Sequence, residues 1–291
     1  PTISLIGNSA IVYVTARSRS LRSPCNIFIG SMSMAEVLHM LGHYVMVVSH
    51  NMMDDHLMRQ DICVYWQSLP ILAIFSSSML LVNIAIDRLM STRNFYNSFI
   101  EAHYAFYIFV HVALGLAVSL SMVAWIFFSR TSDSYVLCTV IAPIHGTIYA
   151  IFVWLMVAIS FFVPACYMLL FFLLKKIRLS QDSSRHIHKS LVVISLTTIL
   201  SWFSGTVFHV FDITFKLDVN QLHAFLIVGI FMNTASAMNF FVYYFISTLY
   251  RREFDNYLLI GLFKKAMNCK RRPSSYPWAT QRSAIPEHLH D

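Results

Sequence analysis

The chain has 291 residues, of which 57% are apolar and only 12% are charged. Soluble domains contain roughly 45–50% apolar and about 25% charged residues, so this composition excludes a disordered protein, a coiled coil and a typical soluble enzyme. The net charge of +7 comes from Lys and Arg residues that lie between apolar runs, which is typical of a membrane protein and argues against a nucleic-acid partner.

Seven apolar runs follow one another along the chain, and they predict membrane-spanning helices. They are too long and too continuously apolar for the strands of a membrane barrel. The runs cover residues 2–16, 26–50, 63–89, 104–128, 144–174, 187–210 and 222–249. The first run is shorter than the roughly 20 residues that cross a bilayer, so we expect the chain to lack the beginning of its first helix.

The basic residues between the runs predict the orientation. Most Lys and Arg lie in the segments after the first, third, fifth and seventh runs, whereas the alternate segments carry only Arg59, Arg130 and Lys216. Cytoplasmic segments of membrane proteins are enriched in Lys and Arg. We therefore expect a multi-pass protein of the plasma membrane with its N-terminus outside and its C-terminus in the cytoplasm.

The chain beyond the seventh run predicts two further parts after a helical bundle of residues 1–249. Residues 250–263 place apolar side chains on one helical face and polar ones on the other, which is typical of a surface helix on the inner leaflet. Residues 264–291 are basic at first and read as a flexible cytoplasmic tail. Cys269, beside three basic residues, is a candidate for palmitoylation, with an unmodified thiol as the alternative.

The cysteines suggest one disulfide and no metal centre. Cys63 opens the third run at its outer end, and Cys138 lies in the outer loop after the fourth run. Both face the oxidising side, where a disulfide persists, and two free thiols are the alternative. The chain has no CxxC pair, so we expect no structural zinc or iron–sulfur site and no cofactor.

Two polar features stand out within the apolar runs. Glu36, His39 and His43 share one face of the second run, and a polar lining is a simpler reading than a metal site because a further ligand is not identifiable. Asp87 and Arg88 end the third run, where they are either a helix-end anchor or a switch. Arg88 follows Cys63 by 25 residues, and the family resemblance given in the next paragraph associates this separation with the switch.

Short motifs in a fixed order carry a family resemblance. They are GN at 7–8, LRSPCN at 21–26, IDRL at 86–89, HKSL at 188–191, SWF at 201–203, NFFVYY at 239–244 and YRREF at 250–254. With them the chain resembles a rhodopsin-like G-protein-coupled receptor, and within that group the nematode srsx class of serpentine chemoreceptors. The resemblance implies an all-α membrane protein, a rhodopsin-like seven-transmembrane helix bundle with an amphipathic eighth helix on the inner leaflet.

The resemblance also implies roles for individual residues and a heterotrimeric G protein as partner. Residues implied in switching and coupling are Asp87, Arg88, Lys189, Asn239 and Tyr243. Residues implied in an ion or proton site are Glu36, Ser77 and Asn239, although Glu36 stands where most members carry aspartate.

Four positions depart from the family pattern. Leu89 replaces the tyrosine after Asp-Arg, and Ser204 and Phe240 replace helix prolines. Ser184 stands where many members have an acid that pairs with the arginine. The lock of the inactive state is therefore absent or built differently.

The positions that define known ligand classes exclude two of them. Pro70 stands where amine receptors of this family carry aspartate, and Asn233 stands where opsins carry the Schiff-base lysine. The residues expected to line the pocket are Tyr65, Trp66, Pro70, Trp154, Trp202, Phe208, His209 and Asn233. Such an apolar, aromatic lining suits a small organic odorant or pheromone. The alternatives are a peptide receptor or, with the opposite orientation, a ligand-gated channel, and an enzyme is not expected.

Overall fold

Helices make up nearly all of the structure. The computed structural model describes residues 1–53, 55–93, 95–176, 221–258 and 260–261. The helices are α1 (Thr2–Arg17), α2 (Pro24–Met52), α3 (Gln60–Met90), α4 (Phe95–Phe128), α5 (Gly146–Lys176), α6 (Gln221–Ile246) and α7 (Thr248–Tyr257). A single 3-10 turn, Arg19–Leu21, joins α1 to α2, and the short strands β1 (Met58–Arg59) and β2 (Tyr135–Val136) pair antiparallel.

The helix ends lie within three residues of the predicted runs, with one exception. Helix α4 begins at Phe95 rather than at residue 104, because its first two turns are more polar than the rest. A kink with non-helical backbone angles at His103 separates the two parts. The predicted sixth run, 187–210, and the predicted tail, 264–291, lie outside the described residues.

Helix α3 is the central element of the described bundle. It packs against α2, α4 and α5, while α1 packs against α2 and α6. One apolar cluster surrounds the C-terminal half of α3 at Ile84, and another surrounds its N-terminal half at Ile71 and Phe75. Within the described residues, α3, α4 and α5 are long and apolar enough to cross a membrane.

The end of the predicted seventh run is a helix break. Ser247 has extended backbone angles, and its side chain accepts a hydrogen bond from the backbone N–H of Tyr250 at 3.3 Å, as helix-capping serines do. Helix α7 starts there and buries Tyr250, Glu253 and Phe254. It covers part of the segment predicted as a surface helix, 250–263, starting two residues earlier.

Candidate functional site

The C-terminal end of α3 carries a buried ion pair. The Asp87 side chain is fully buried, and that of Arg88 is 13% exposed. Arg88 donates to Oδ2 of Asp87 from Nη2 at 2.6 Å and from Nε at 3.2 Å. Hydrogen bonds between charged groups are about twice as strong as neutral ones, so Asp87 restrains the guanidinium against the bundle.

Two tyrosines of α4 complete the surroundings of Asp87. The hydroxyl of Tyr96 donates to Oδ1 at 2.6 Å, and that of Tyr107 donates to the same oxygen at 3.1 Å. Every oxygen of the carboxylate therefore has a donor, which offsets the cost of burying a charge. We call this group, Asp87, Arg88, Tyr96 and Tyr107, the Asp87 cluster.

The local sequence explains how both tyrosines reach Asp87. After α3 ends, the backbone N–H of Arg93 donates to the carbonyl of Met90 at 2.9 Å, and that of Tyr96 donates to Arg93 at 3.0 Å. This tight turn brings α4 back along α3. Tyr96 and Tyr107 are eleven residues apart, about three helical turns, so they share the α4 face that packs on α3.

A small cavity with both polar and apolar lining lies between α2, α3 and α6. It measures about 30 Å³, room for about one or two water molecules or a small ion, and Glu36, Ser77 and Asn239 line it. Ser236 donates to Oε2 of Glu36 at 2.8 Å, and Nδ1 of His39 lies 3.7 Å from the same oxygen. The three residues predicted as an ion or proton site are thus brought together, while binding there stays a prediction.

Hydrogen bonds connect this cavity to α1. Asn8 is fully buried, and its amide donates to the backbone carbonyls of Ser4 at 3.0 Å and Ser236 at 3.1 Å. The side chain of Asn239 donates to Oδ1 of Asn8 at 3.4 Å. Helices α1, α6 and α2 are therefore joined by polar contacts from Asn8 to Glu36.

Histidines extend the polar face of α2 beyond Glu36. The rings of His39 and His43 lie 5.6 Å apart, and Nε2 of His43 is buried with no partner among the described residues. In the described part of the chain, His, Cys, Asp and Glu side chains form no group of three or more suited to a metal ion.

The N-terminal end of α3 is covalently fixed. Cys63 and Cys138 form the predicted disulfide, with their Cα atoms 5.5 Å apart. Gln67, one turn further along α3, is fully buried and donates to the carbonyls of Gly42 at 3.1 Å and Cys138 at 3.0 Å. Gln60 accepts a hydrogen bond from the backbone N–H of Thr131 at 2.7 Å. The segment after α4 is therefore anchored across this end of the bundle.

The predicted pocket residues are not gathered around one cavity in the described structure. Tyr65, Trp66 and Trp154 are 57%, 61% and 72% exposed, because they lie on helix faces that point away from the buried sides of α3 and α5. Pro70 is buried inside α3, and Asn233 is half-buried with its amide donating to Gly229. The ligand-lining role of these residues stays a prediction.

Of the remaining predicted site residues, Tyr243 is buried, and several others lie outside the residues that the structure describes. The Tyr243 ring is buried 4.8 Å from that of Tyr250, and its hydroxyl has no partner among the described residues. The predicted residues that lie outside the described ranges are Ser184, Lys189, Trp202, Ser204, Phe208, His209 and Cys269.

The sequence did not predict the hydrogen-bond partners of Asp87, Glu36 and the loop at the disulfide. Gln60 and Gln67 lie three residues before and four residues after Cys63, on the same helix face. This spacing is a sequence signal that could have identified them as neighbours of the disulfide. Tyr96 and Tyr107 lie three turns apart, but nothing in the sequence aims them at Asp87. Ser236 gives no separate signal, since small polar residues are common in membrane helices.

Comparison with known families gives the context for this geometry. The family model described as serpentine type 7TM GPCR chemoreceptor Srsx matches residues 1–258, which is most of the chain and contains every element described above. A search of curated proteins finds no significant match. On the family match, the chain is a member of the Srsx family of serpentine seven-transmembrane G-protein-coupled chemoreceptors.

Proposed function

We propose that this chemoreceptor binds a small organic odorant or pheromone from the outside and activates a heterotrimeric G protein inside. In this proposal residues 1–249 form a seven-helix bundle in the plasma membrane, with the N-terminus outside. Residues 250–263 lie along the inner leaflet, and residues 264–291 form a cytoplasmic tail that membrane lipid contacts and that is palmitoylated at Cys269. The distribution of Lys and Arg supports this orientation.

The single observation that carries the coupling role is the Asp87 cluster at the far end of α3 from the disulfide. Cys63 and Arg88 are 25 residues apart, about 38 Å along a helix, which is enough to cross a bilayer. Arg88 is restrained by Asp87 and, through it, by two phenols. When these bonds break, its five N–H donors become available to a cytoplasmic partner, with Lys189, Asn239 and Tyr243 assisting the switch.

The ligand class is supported by the absence of charge at the two diagnostic positions. Pro70 offers no carboxylate to pair with an ammonium group, and Asn233 offers no amine that could form a Schiff base with an aldehyde. A cationic peptide is less well supported, because Arg59 pairs with the rim acid Asp61 at 2.7 Å. The Asp61 carboxylate therefore already has a cationic partner within the chain.

The cavity at Glu36 is the proposed ion or proton site. Glu36, Ser77 and Asn239 supply oxygen atoms around a space suited to a small cation and water, and hard cations prefer oxygen ligands. Sodium-dependent ligand affinity in the intact protein, lost in Glu36→Gln, would support a sodium role. An affinity that is insensitive to sodium in both proteins would count against it.

The test of the function uses the full chain in cultured cells. G-protein activation is recorded against separate pools of volatile organic compounds, small metabolites and peptides, with Arg88→Ala and Arg59→Ala compared at matched surface expression. We expect a response to a small-molecule pool that Arg88→Ala abolishes and Arg59→Ala retains. A ligand-evoked current that survives Arg88→Ala would replace the receptor by a channel, and a response to peptides alone would replace the ligand class.

A further inference from the structure

An open pocket lies where the segment after α1 meets α7, apart from the Asp87 cluster and the disulfide. It measures about 440 Å³, within the range of small-molecule sites. The residues that line it are Arg17, Ser18, Arg19, Ser20, Glu253 and Tyr257. We call it the loop–α7 pocket.

The one acid in its lining is already satisfied. Oε2 of Glu253 accepts a hydrogen bond from the Ser18 hydroxyl at 2.9 Å, and Oε1 accepts one from Nε of Arg252 at 3.0 Å. Glu253 is buried beneath these partners. Its negative charge is therefore balanced by Arg252 and is not available to neutralise the other cations of the pocket.

The remaining cations and the phenol are free to bind a ligand. Among the described residues, Arg17 and Arg19 have no acidic partner and no side-chain hydrogen bond, and the Tyr257 hydroxyl likewise has none. Each guanidinium presents planar N–H donors whose geometry matches two phosphate oxygens. The lining thus offers hydrogen-bond donors and positive charge to a ligand, while both carboxylate oxygens of Glu253 already accept hydrogen bonds.

We infer that the loop–α7 pocket binds a phosphomonoester group, supplied by the headgroup of an inner-leaflet phosphoinositide. A phosphomonoester carries about −1.5 to −2 charge at pH 7, which matches two unpaired arginines, whereas the single net charge of phosphatidylserine matches only one. The lipid source rests on the orientation proposed above, which puts Arg17 and Arg19 on the cytoplasmic side. Because α7 forms one wall, the bound headgroup would tie α7 to the segment after α1.

The test measures binding by the purified full chain in nanodiscs of neutral lipid, without a G protein or a receptor ligand. The probe is a fluorescent short-chain phosphatidylinositol 4,5-bisphosphate. We expect Arg17→Gln and Arg19→Gln each to weaken binding about tenfold, the loss typical of one charge-assisted hydrogen bond. The matched controls, Arg22→Gln and Arg251→Gln, remove exposed arginines outside the pocket and should change binding less than about twofold.

A change in the opposite direction separates binding from collapse of the pocket. Glu253→Gln keeps the shape of the side chain and its acceptor for Ser18 but leaves the charge of Arg252 unbalanced, so the net positive charge beside the pocket rises and we expect tighter binding. Equal losses in all four arginine variants would overturn the pocket in favour of general surface attraction, as would equal binding of phosphatidylserine at matched charge.

The source of the phosphate is decided by a second arm. Vesicles of phosphatidylcholine with 4,5-bisphosphate lipid are compared with soluble inositol trisphosphate and with inorganic phosphate. Stronger binding of the vesicles supports the lipid, and equal binding of the soluble compounds would overturn the lipid assignment. Since no signalling is measured, failure of this inference and failure of G-protein coupling are observed separately.

Discussion

The Asp87 cluster makes a sharp prediction about the resting receptor. Tyr96→Phe removes the hydroxyl that donates to the fully buried Asp87 carboxylate at 2.6 Å and leaves the ring in place. A hydrogen bond to a charged group contributes about 1.5–3 kcal/mol. If this bond exists only while Arg88 is held, its loss moves the equilibrium about 10- to 150-fold toward the released state. A released state that is populated at about 0.1–10% at rest would then give clearly raised basal signalling.

The assay is ligand-independent nucleotide exchange on the G protein at matched surface expression. Tyr107→Phe should raise basal activity less than Tyr96→Phe, because its hydroxyl lies further from the same oxygen, at 3.1 Å. Since both hydroxyls bind Oδ1 of Asp87, the effects of the two changes should not add.

The control is a tyrosine on the same helix that points elsewhere. The hydroxyl of Tyr104 donates to the backbone carbonyl of Arg22, and Tyr104→Phe should leave basal activity unchanged. Basal activity of Tyr96→Phe at or below that of Tyr104→Phe would refute the reasoning that these phenols hold the resting state.

Three further predictions concern stability. Cys138→Ser opens a disulfide that closes a loop with a sequence separation of 75, and the chain-entropy relation gives a loss of about 4.5 kcal/mol, measurable as a lower melting temperature. Gly42→Ala would place a Cβ 2.5, 2.7 and 2.9 Å from three side-chain atoms and should destabilise by about 1–3 kcal/mol, whereas Gly229→Ala meets its nearest atom at 3.9 Å and should not. Burial would raise the pKa of Glu253, but hydrogen bonds from Ser18 and other neighbours lower it overall. The carboxylate therefore stabilises the docking of α7 fully above its unfolded pKa, and this stabilisation is lost as pH falls through the lower folded pKa. Hydrogen exchange of the α7 amides measures the loss. Glu253→Gln should abolish this pH dependence.

Much of the helical framework could be predicted because apolar runs in membrane helices are set by the bilayer. The ends of α1, α2, α3 and α5 follow from where polar residues begin. The start of α4 could not be predicted in this way, since its first turns are polar and the kink at His103 depends on packing rather than on composition.

The sequence predicted those parts of the candidate site whose residue types are rare inside membrane helices. A buried acid such as Glu36 or an Asp-Arg pair is costly in a membrane and therefore visible in the sequence. The partners that satisfy these charges are tyrosine and serine, which are common residues and acquire this role only through their position in the fold. Trp154 shows how little an aromatic residue in an apolar run reveals from sequence, because it is 72% exposed in the structure and its role in a pocket stays a prediction.

The two ends of α3 are held by bonds of different kinds, and this bears on where switching takes place. The disulfide at Cys63 is covalent and does not open when a ligand binds, whereas the hydrogen bonds to Asp87 exchange readily and each contributes only a few kcal/mol. We therefore expect a ligand that binds near Cys63 to shift this end of α3 only slightly. We expect its free energy to reach Asp87 through α2, which packs against α3 and meets α6 where Ser236 donates to Glu36. Because Ser184 stands in place of the family's acid, we predict that the contacts broken on switching are those of Tyr96 and Tyr107 with Asp87.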